Sequence, residues 1–287
     1  MKLDYGTQMS PYSIPLSVGN LRKPKLKDIA NPYSHYKMSF EKFYFYEFLI
    51  TMTPEEFFTQ VDLNYGKELW NSLSKEEKQE ITLYSLIKDN STLSQLFLEI
   101  FNFFFEETVL YVNSVFVFVN PNKDYKTETP HREDIVGIVD SNNFSEILNI
   151  IQQVCCIAPE EKEIPKFKNK IAKKIYYQIQ EDEEERAKKK GIDKDMTLPN
   201  IISKVSANHH SINYINIWEY TIFELLDNFA SLREEKIYDI EKTSAAVWGD
   251  EKKTFDPSKW YKNEFDRKWT LMVSFINLKI QGGNYGY

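Results

Sequence analysis

Between Ile215 and Leu232, the apolar residues Ile215, Trp218, Ile222, Leu225, Phe229 and Leu232 recur at intervals of 3, 4, 3, 4 and 3. An α-helix returns such positions to one side, because about 3.6 residues complete each turn. Asn216, Glu224, Asp227 and Ser231 fall on the opposite side, and Ser211 is placed to cap the start. The spacing therefore predicts one long amphipathic helix over 212–234. Its seam has two possible destinations, the core of its own domain or a helix from another chain. Ile215, Trp218, Ile222, Leu225 and Phe229 are candidate protein-interaction residues on that account.

The N-terminal half is more varied. Residues 1–35 lack periodicity and read as an extended arm. "YKMSFEKFYFYEFLITM" at 36–52 is apolar on almost every side; its aromatic content favours a strand and its length allows a buried helix. "TPEE" at 53–56 and "SKEE" at 74–77 carry the residues of a capping box, and after the second, Ile81, Tyr84 and Ile87 share one predicted helical face. A further helix is expected through 92–105. Two runs rich in β-branched and aromatic residues then flank Asn113-Ser114, the pattern of a two-residue hairpin, whose second arm is apolar on both faces and needs cover. Helical spacing returns at Ile147, Ile150, Ile151 and Val154 within 143–157.

Residues 158–196 mark a boundary. A charged helix is expected over about 166–190, with the acid-before-base pairs Asp182–Arg186, Glu184–Lys188 and Glu185–Lys189, and Gly191 ends it. The predicted organisation is an α+β domain over 1–157, a charged linker helix over 158–196, and a helical region over 197–287 that starts another helix at "FDPSKW" and ends in a loose tail. The fold class expected is mainly helical α+β, with a small antiparallel β-hairpin in the N-terminal half and a helical C-terminal half.

Composition narrows the function classes. Hydrophobic residues make up 42% of the 287, enough for a real core. The formal charge of −7 disfavours a protein held mainly to a nucleic-acid backbone. No apolar run reaches the length of a membrane span, and "MKLDYGTQMS" lacks the apolar stretch of a signal peptide. Cys155 and Cys156 are neighbours that point apart on a regular element, so they read as buried thiols in a reducing cytosol.

Catalytic signatures are missing from the sequence. GxxxxGK[ST], GxGxxG, CxxC, HExxH and GxSxG do not occur. His209-His210 is the only histidine cluster, and adjacent side chains diverge on a helix. The acidic run "EDEEE" at 181–185 belongs to the charge-paired helix. The expectation is no enzyme, no cofactor and no metal, with no catalytic residue nominated.

One more stretch attracts notice. "SVGNLRKPKLKDI", residues 17–29, sets Arg22, Lys23, Lys25 and Lys27 among Val18, Leu21, Leu26 and Ile29, with Pro24 removing a backbone donor. It reads as an arm whose apolar side chains dock while its cations reach outward. It packs either on its own domain alone or on an acidic surface of a neighbour. Leu21, Arg22, Lys23, Lys25 and Leu26 are the second set of candidate interaction residues.

That stretch, together with "NFSEILNIIQQV" at 143–154, "SKVSANHHSINYINIWEYTIFELLDNFASL" at 203–232 and "AAVWG" at 245–249, resembles a group of similar-length proteins from tailed phages and prophages of Gram-positive bacteria. The resemblance implies a tail-morphogenesis protein of the tail assembly chaperone type, encoded near the tape measure protein. Such a chaperone is non-enzymatic, stays in the host bacterial cytoplasm, and coats the tape measure before tail tube protein polymerises around it. Its requirements are apolar grooves for amphipathic helices, an acidic exterior and no cofactor; a homo-oligomer fits as well. The alternatives are a structural tail or baseplate component retained in the virion, and a phage enzyme or nucleic-acid factor with an unrecognised site. Tail chaperones are often made in short and frameshift-extended forms, a property that one protein sequence does not display.

Overall fold

The computed structural model of the protein describes residues 2–33, 37–61, 65–122, 125, 130–157, 196–249 and 255–256. The chain divides into two compact units, Met1–Cys155 and Cys156–Tyr287. The expected linker helix at 158–196, most of "FDPSKW" and the tail lie outside the described residues. Those described form a mainly helical α+β protein, with small antiparallel sheets in the N-terminal half.

The first unit opens with helix α1 (Tyr5–Met9), the two-stranded ribbon β1 (Ile14–Leu16) and β2 (Gly19–Leu21), and the short helix α2 (Leu26–Ile29). Helix α3 (Phe40–Thr51) follows, where aromatic richness favoured a strand. The helix wins because Ser39 caps it, accepting a bond from the Lys42 amide at 3.2 Å. Apolar residues on all sides suit a helix buried nearly all round, and Phe43, Tyr46, Phe48, Leu49 and Ile50 are all buried. Both expected capping boxes form, at α4 (Pro54–Glu56) and, after the helix α5 (Gly66–Ser72), at α6 (Lys75–Glu80). The helix from "SKEE" does not run on through Ile87, however. It stops at Ile81, and Thr82 caps a fresh helix α7 (Leu83–Asp89), so Ile81 leaves the face it was expected to share with Tyr84 and Ile87.

Helix α8 (Ser91–Phe104) is the centre of this unit. It packs on the hairpin β3 (Thr108–Val112) and β4 (Val115–Val119). Asn113 and Ser114 turn the hairpin with φ of 50° and 64°, the left-handed pair that a tight two-residue turn requires. Phe101 of α8 covers one face of β4 at Phe116 and Phe118, and a third strand that the sequence reading missed, β5 (Ile135–Val139), pairs antiparallel along its edge, irregular beside Val119. Gly137 explains its place: a Cβ there would lie 2.4 Å from the Val18 Cα, so the backbone of the N-terminal ribbon rests directly on β5. Helix α9 (Phe144–Val154) closes the unit against α3.

Between α8, the sheet and α9 the core is aromatic. The Phe101 ring meets Phe116 at 4.8 Å, Phe118 at 5.8 Å and Phe144 at 6.2 Å between centroids, all edge-to-face. That arrangement sets the positive ring edge on a negative ring face. Cys155 and Cys156 are fully buried at the end of α9, and Cys156 takes a left-handed φ of 60°, the conformation in which helices often end.

In the second unit, α10 (Leu198–Asn208) packs on the long helix α11 (Ile222–Trp248). The expected helix over 212–234 is corrected at its start. The chain from His209 to Tyr220 is a loop with a single 3-10 turn, Ile217–Glu219, and Thr221 rather than Ser211 caps α11. A reciprocal box holds this start, with the Thr221 hydroxyl accepting from the Glu224 amide at 3.2 Å and the Glu224 carboxylate accepting from the Thr221 amide at 2.8 Å. No helix among the described residues is long and apolar enough to cross a membrane.

Candidate functional site

The basic stretch 17–29 folds into the first unit. Val18, Leu21, Leu26 and Ile29 are buried. Gly19 adopts φ of 145°, and a Cβ on it would stand 2.5 Å from the Glu107 carboxylate. That close approach lets the carboxylate accept from the Asn20 amide at 2.9 Å and from the Asn20 side-chain amide at 3.0 Å. Leu21 then bridges Phe105 as an antiparallel pair, continued by the Glu106 amide bonding the Asn20 carbonyl.

The cations that were expected to reach outward turn inward at two positions. The Arg22 amide bonds the Phe104 carbonyl at 2.7 Å, and its guanidinium donates to the carbonyls of Phe103 and Asn102. These are last-turn carbonyls of α8, which have no partner inside the helix and carry its negative dipole end. The Lys23 ammonium donates to the Thr7 and Ser10 carbonyls at the end of α1. Lys25 contributes through its backbone, which donates to the Asp28 carboxylate at 3.0 Å across the start of α2. Leu21 and Leu26 thus sit in the protein's own core, while Arg22 and Lys23 finish helix ends.

The second candidate set separates along the chain. Ile222 and Leu225 are buried in the first turns of α11. Phe229 is half-buried. Ile215 is 88% exposed in the loop, and Trp218 is half-buried there with its indole nitrogen donating to the Tyr214 carbonyl at 3.0 Å. The five residues therefore do not form one seam; Ile222, Leu225 and Phe229 share a side of α11, and Ile215 and Trp218 lie in the loop before it.

What was missed is the continuation of that seam. Ile240, Val247 and Trp248 are 69%, 64% and 83% exposed. At 100° per residue, Ile222, Phe229, Ile240 and Val247 fall within about 20° of one line along α11. The buried residues of α11 are Ile222, Phe223, Leu225 and Leu226, all at its start. Helix α10 has 11 residues and α11 has 27, or about 16 Å against about 40 Å. The far half of the seam projects beyond the length α10 can cover. Its signal in the sequence was the same spacing carried on past Leu232, with polar residues at Arg233 and Lys236 hiding the continuity.

Other chemistry-bearing groups are committed locally. The Asp4 carboxylate caps α1; the Thr7 amide and hydroxyl bonds hold its pKa below the ordinary value. The His209 Nδ1 accepts from the Ser211 and Ile212 amides at 3.2 Å each, a turn rather than a ligand site. The open depression of about 430 Å³ beside α1 and β1 is lined by Asp4, Thr7, Ser10, Tyr12 and Ser13 among others, and there the Asp4 carboxylate is taken up as the cap of α1. Among the described residues no cluster of three His, Cys, Asp or Glu side chains has metal-binding geometry.

Residues 187–264 match the family model for the second domain of YomV. The match includes all of α10 and α11, and it is to a phage- or prophage-type family. No curated protein and no solved structure matches the chain.

Proposed function

We propose that the protein acts without catalysis, by binding another phage protein during tail assembly, in the manner of a tail assembly chaperone that engages the tape measure protein. The observation that carries this reading is the exposure of Ile240, Val247 and Trp248 on the far half of α11, inside the stretch that matches a phage-type family domain. An exposed stripe at helical spacing is the surface on which an amphipathic helix lays its own apolar face. A tape measure protein is a long helical client of that kind, and the formal charge of −7 keeps the carrier itself soluble.

The test is co-expression with the tape measure protein encoded by the same phage. The wild type should hold the tape measure in solution and co-purify with it, and Trp248→Glu should lose both effects with unchanged thermal stability. Co-purification unaffected by Trp248→Glu would remove α11 from the binding surface. Mass spectrometry of purified particles decides between chaperone and virion component: a chaperone is absent from them, and stoichiometric presence would establish the structural alternative.

A further inference from the structure

We infer that Asn102 is a plug: its side-chain amide occupies the open edge of the three-stranded sheet, where a further strand would lie, and bars strand-to-strand association with other chains. The inference is independent of reading α11 as a binding surface. The hairpin shows which way each backbone group points. Its two-residue turn makes Val112 and Val115 a bonded pair, and in an antiparallel ladder bonded and unbonded pairs alternate. Leu110–Val117 and Thr108–Val119 are the other bonded pairs. The N–H and C=O groups of Val109 and Tyr111 therefore point away from β4, along the outer edge of β3. The strand order β3-β4-β5 leaves that edge with no strand beside it.

Asn102, in the last turn of α8, reaches both outward groups of Val109. Its Oδ1 accepts from the Val109 amide at 3.0 Å, and its Nδ2 donates to the Val109 carbonyl at 3.1 Å and to the Leu98 carbonyl at 2.9 Å. A side-chain amide carries a donor and an acceptor side by side, so it meets Val109 as the backbone of a neighbouring strand would. An aspartate there would lack the donor. Among the described residues no hydrogen bond reaches the outward amide and carbonyl of Tyr111. An added strand needs a run of such groups, and Asn102 interrupts the run at Val109.

The hazard that the plug answers is written in the hairpin. Residues 108–119, "TVLYVNSVFVFV", are rich in β-branched and aromatic side chains and hold no charge and no proline. A segment of that kind on an open edge pairs with copies of itself. The other edge of the sheet is protected differently. The pairing of β5 is irregular beside Val119, and Glu133 and Asp134 stand just before that strand. Irregular pairing and charges both keep an edge from accepting a strand. The acids just before β3 are engaged elsewhere, Glu106 by the Ser13 hydroxyl and Glu107 by Asn20. Asn102 does for β3 what the irregularity and the acids do for β5.

The test uses the full chain and residue-resolved amide exchange. In the wild type the Val109 amide should exchange at least about tenfold more slowly than the Tyr111 amide, because only the first is bonded. Asn102→Ala should abolish that difference. By sedimentation at equal concentration it should also raise the associated fraction at least about tenfold over wild type, with an infrared band of intermolecular β-structure. Val112 is 43% exposed, and adding Val112→Lys to Asn102→Ala sets a charge beside the opened edge. The double variant should lose the association while its Val109 amide still exchanges fast, which separates an opened edge from a weakened fold. The wild-type comparison holds even where Asn102→Ala does not fold. Val109 exchanging as fast as Tyr111 in the wild type, Asn102→Ala associating no more than wild type, or association that survives Val112→Lys would each overturn the inference.

Discussion

In Met1–Cys155 the ties that matter join residues far apart in sequence: Arg22 to the Phe103 carbonyl, Asn20 to Glu107, and the Leu3 amide to the Gln153 side chain at 2.7 Å. Around α11 the described ties are short-range: the box between Thr221 and Glu224, and the Asn228 side chain on the Glu224 carbonyl at 2.7 Å. A region built from distant partners hides its polar groups inside and has little left to offer. A long helix held at one end keeps a face available. The basic arm buries Val18, Leu21, Leu26 and Ile29 within its own unit, whereas the regular helix is buried at its start and exposed at Ile240, Val247 and Trp248.

The comparison breaks most readily at the centre of the first unit. Phe101 touches rings from β4 and α9 as well as from its own helix α8, so Phe101→Ala leaves a cavity that rigid neighbours on three elements cannot fill. The expected loss is about 3–5 kcal/mol in chemical denaturation. A loss under about 1 kcal/mol would mean that this unit is not the rigid member of the pair.

The next test sets one leucine against one isoleucine. Leu21 is fully buried in the arm, and Leu21→Ala should cost about 2–5 kcal/mol. Ile240→Ala should stay within about 0.5 kcal/mol, as surface changes do. Equal costs at the two positions would erase the distinction between arm and seam.

Most of the local structure was legible in the sequence because its causes are local. Thr53 and Ser74 stand immediately before the helices that they cap, and Asn113-Ser114 turns the hairpin it joins, whereas the box of Thr221 and Glu224 was passed over for Ser211. Two kinds of error had a common root. Residues 36–52 looked like a strand because aromatic propensity was weighed without knowing that Phe43, Tyr46 and Phe48 would be covered. Strand β5, "IVGIV", is too short for periodicity to announce, and the glycine at its centre carries no side chain to signal a strand; it is there because the Val18 backbone rests on it. The candidate site was half legible. The 3-4 spacing located Ile222, Leu225 and Phe229 on one line, but spacing specifies a face and not what covers it. Nothing local to Arg22 says that it will meet a helix end 81 residues away.

A smaller effect separates the cations of the two regions. Arg22→Met keeps the stem and removes the donors, leaving last-turn carbonyls of α8 without the charged group that completes them. The expected cost is about 1–3 kcal/mol. Lys236→Met, on the projecting half of α11, should change stability by less than about 0.5 kcal/mol. A neutral Arg22→Met would return the arm's cations to the list of groups available to a partner.

The smallest effect expected lies at the rim of the first unit, where its interior ties reach water. The Glu99 carboxylate accepts from the Tyr46 hydroxyl at 2.8 Å and pairs with the Lys42 ammonium at 3.1 Å. Partial burial pushes the Glu99 pKa up, but those two bonds and the Lys42 charge outweigh it and leave the pKa below its ordinary 4.5. Burial, and then the bond to Glu99, push the Tyr46 hydroxyl well above its ordinary value, so the hydroxyl remains a donor at any pH where the fold is studied. A carboxylate whose folded pKa is depressed contributes stability that is present above the unfolded value and lost as pH falls through the folded one. Glu99→Gln should therefore be slightly less stable than wild type at neutral pH, and the two should converge below the ordinary carboxylate range. Both partners are partly exposed, so added salt should shrink the difference further. Denaturation of both proteins at neutral and acid pH, with and without salt, checks the sign. A gap that widened in acid would mean that the bonds from Tyr46 and Lys42 do not govern Glu99, and that the first unit's tightly knit interior stops short of its surface.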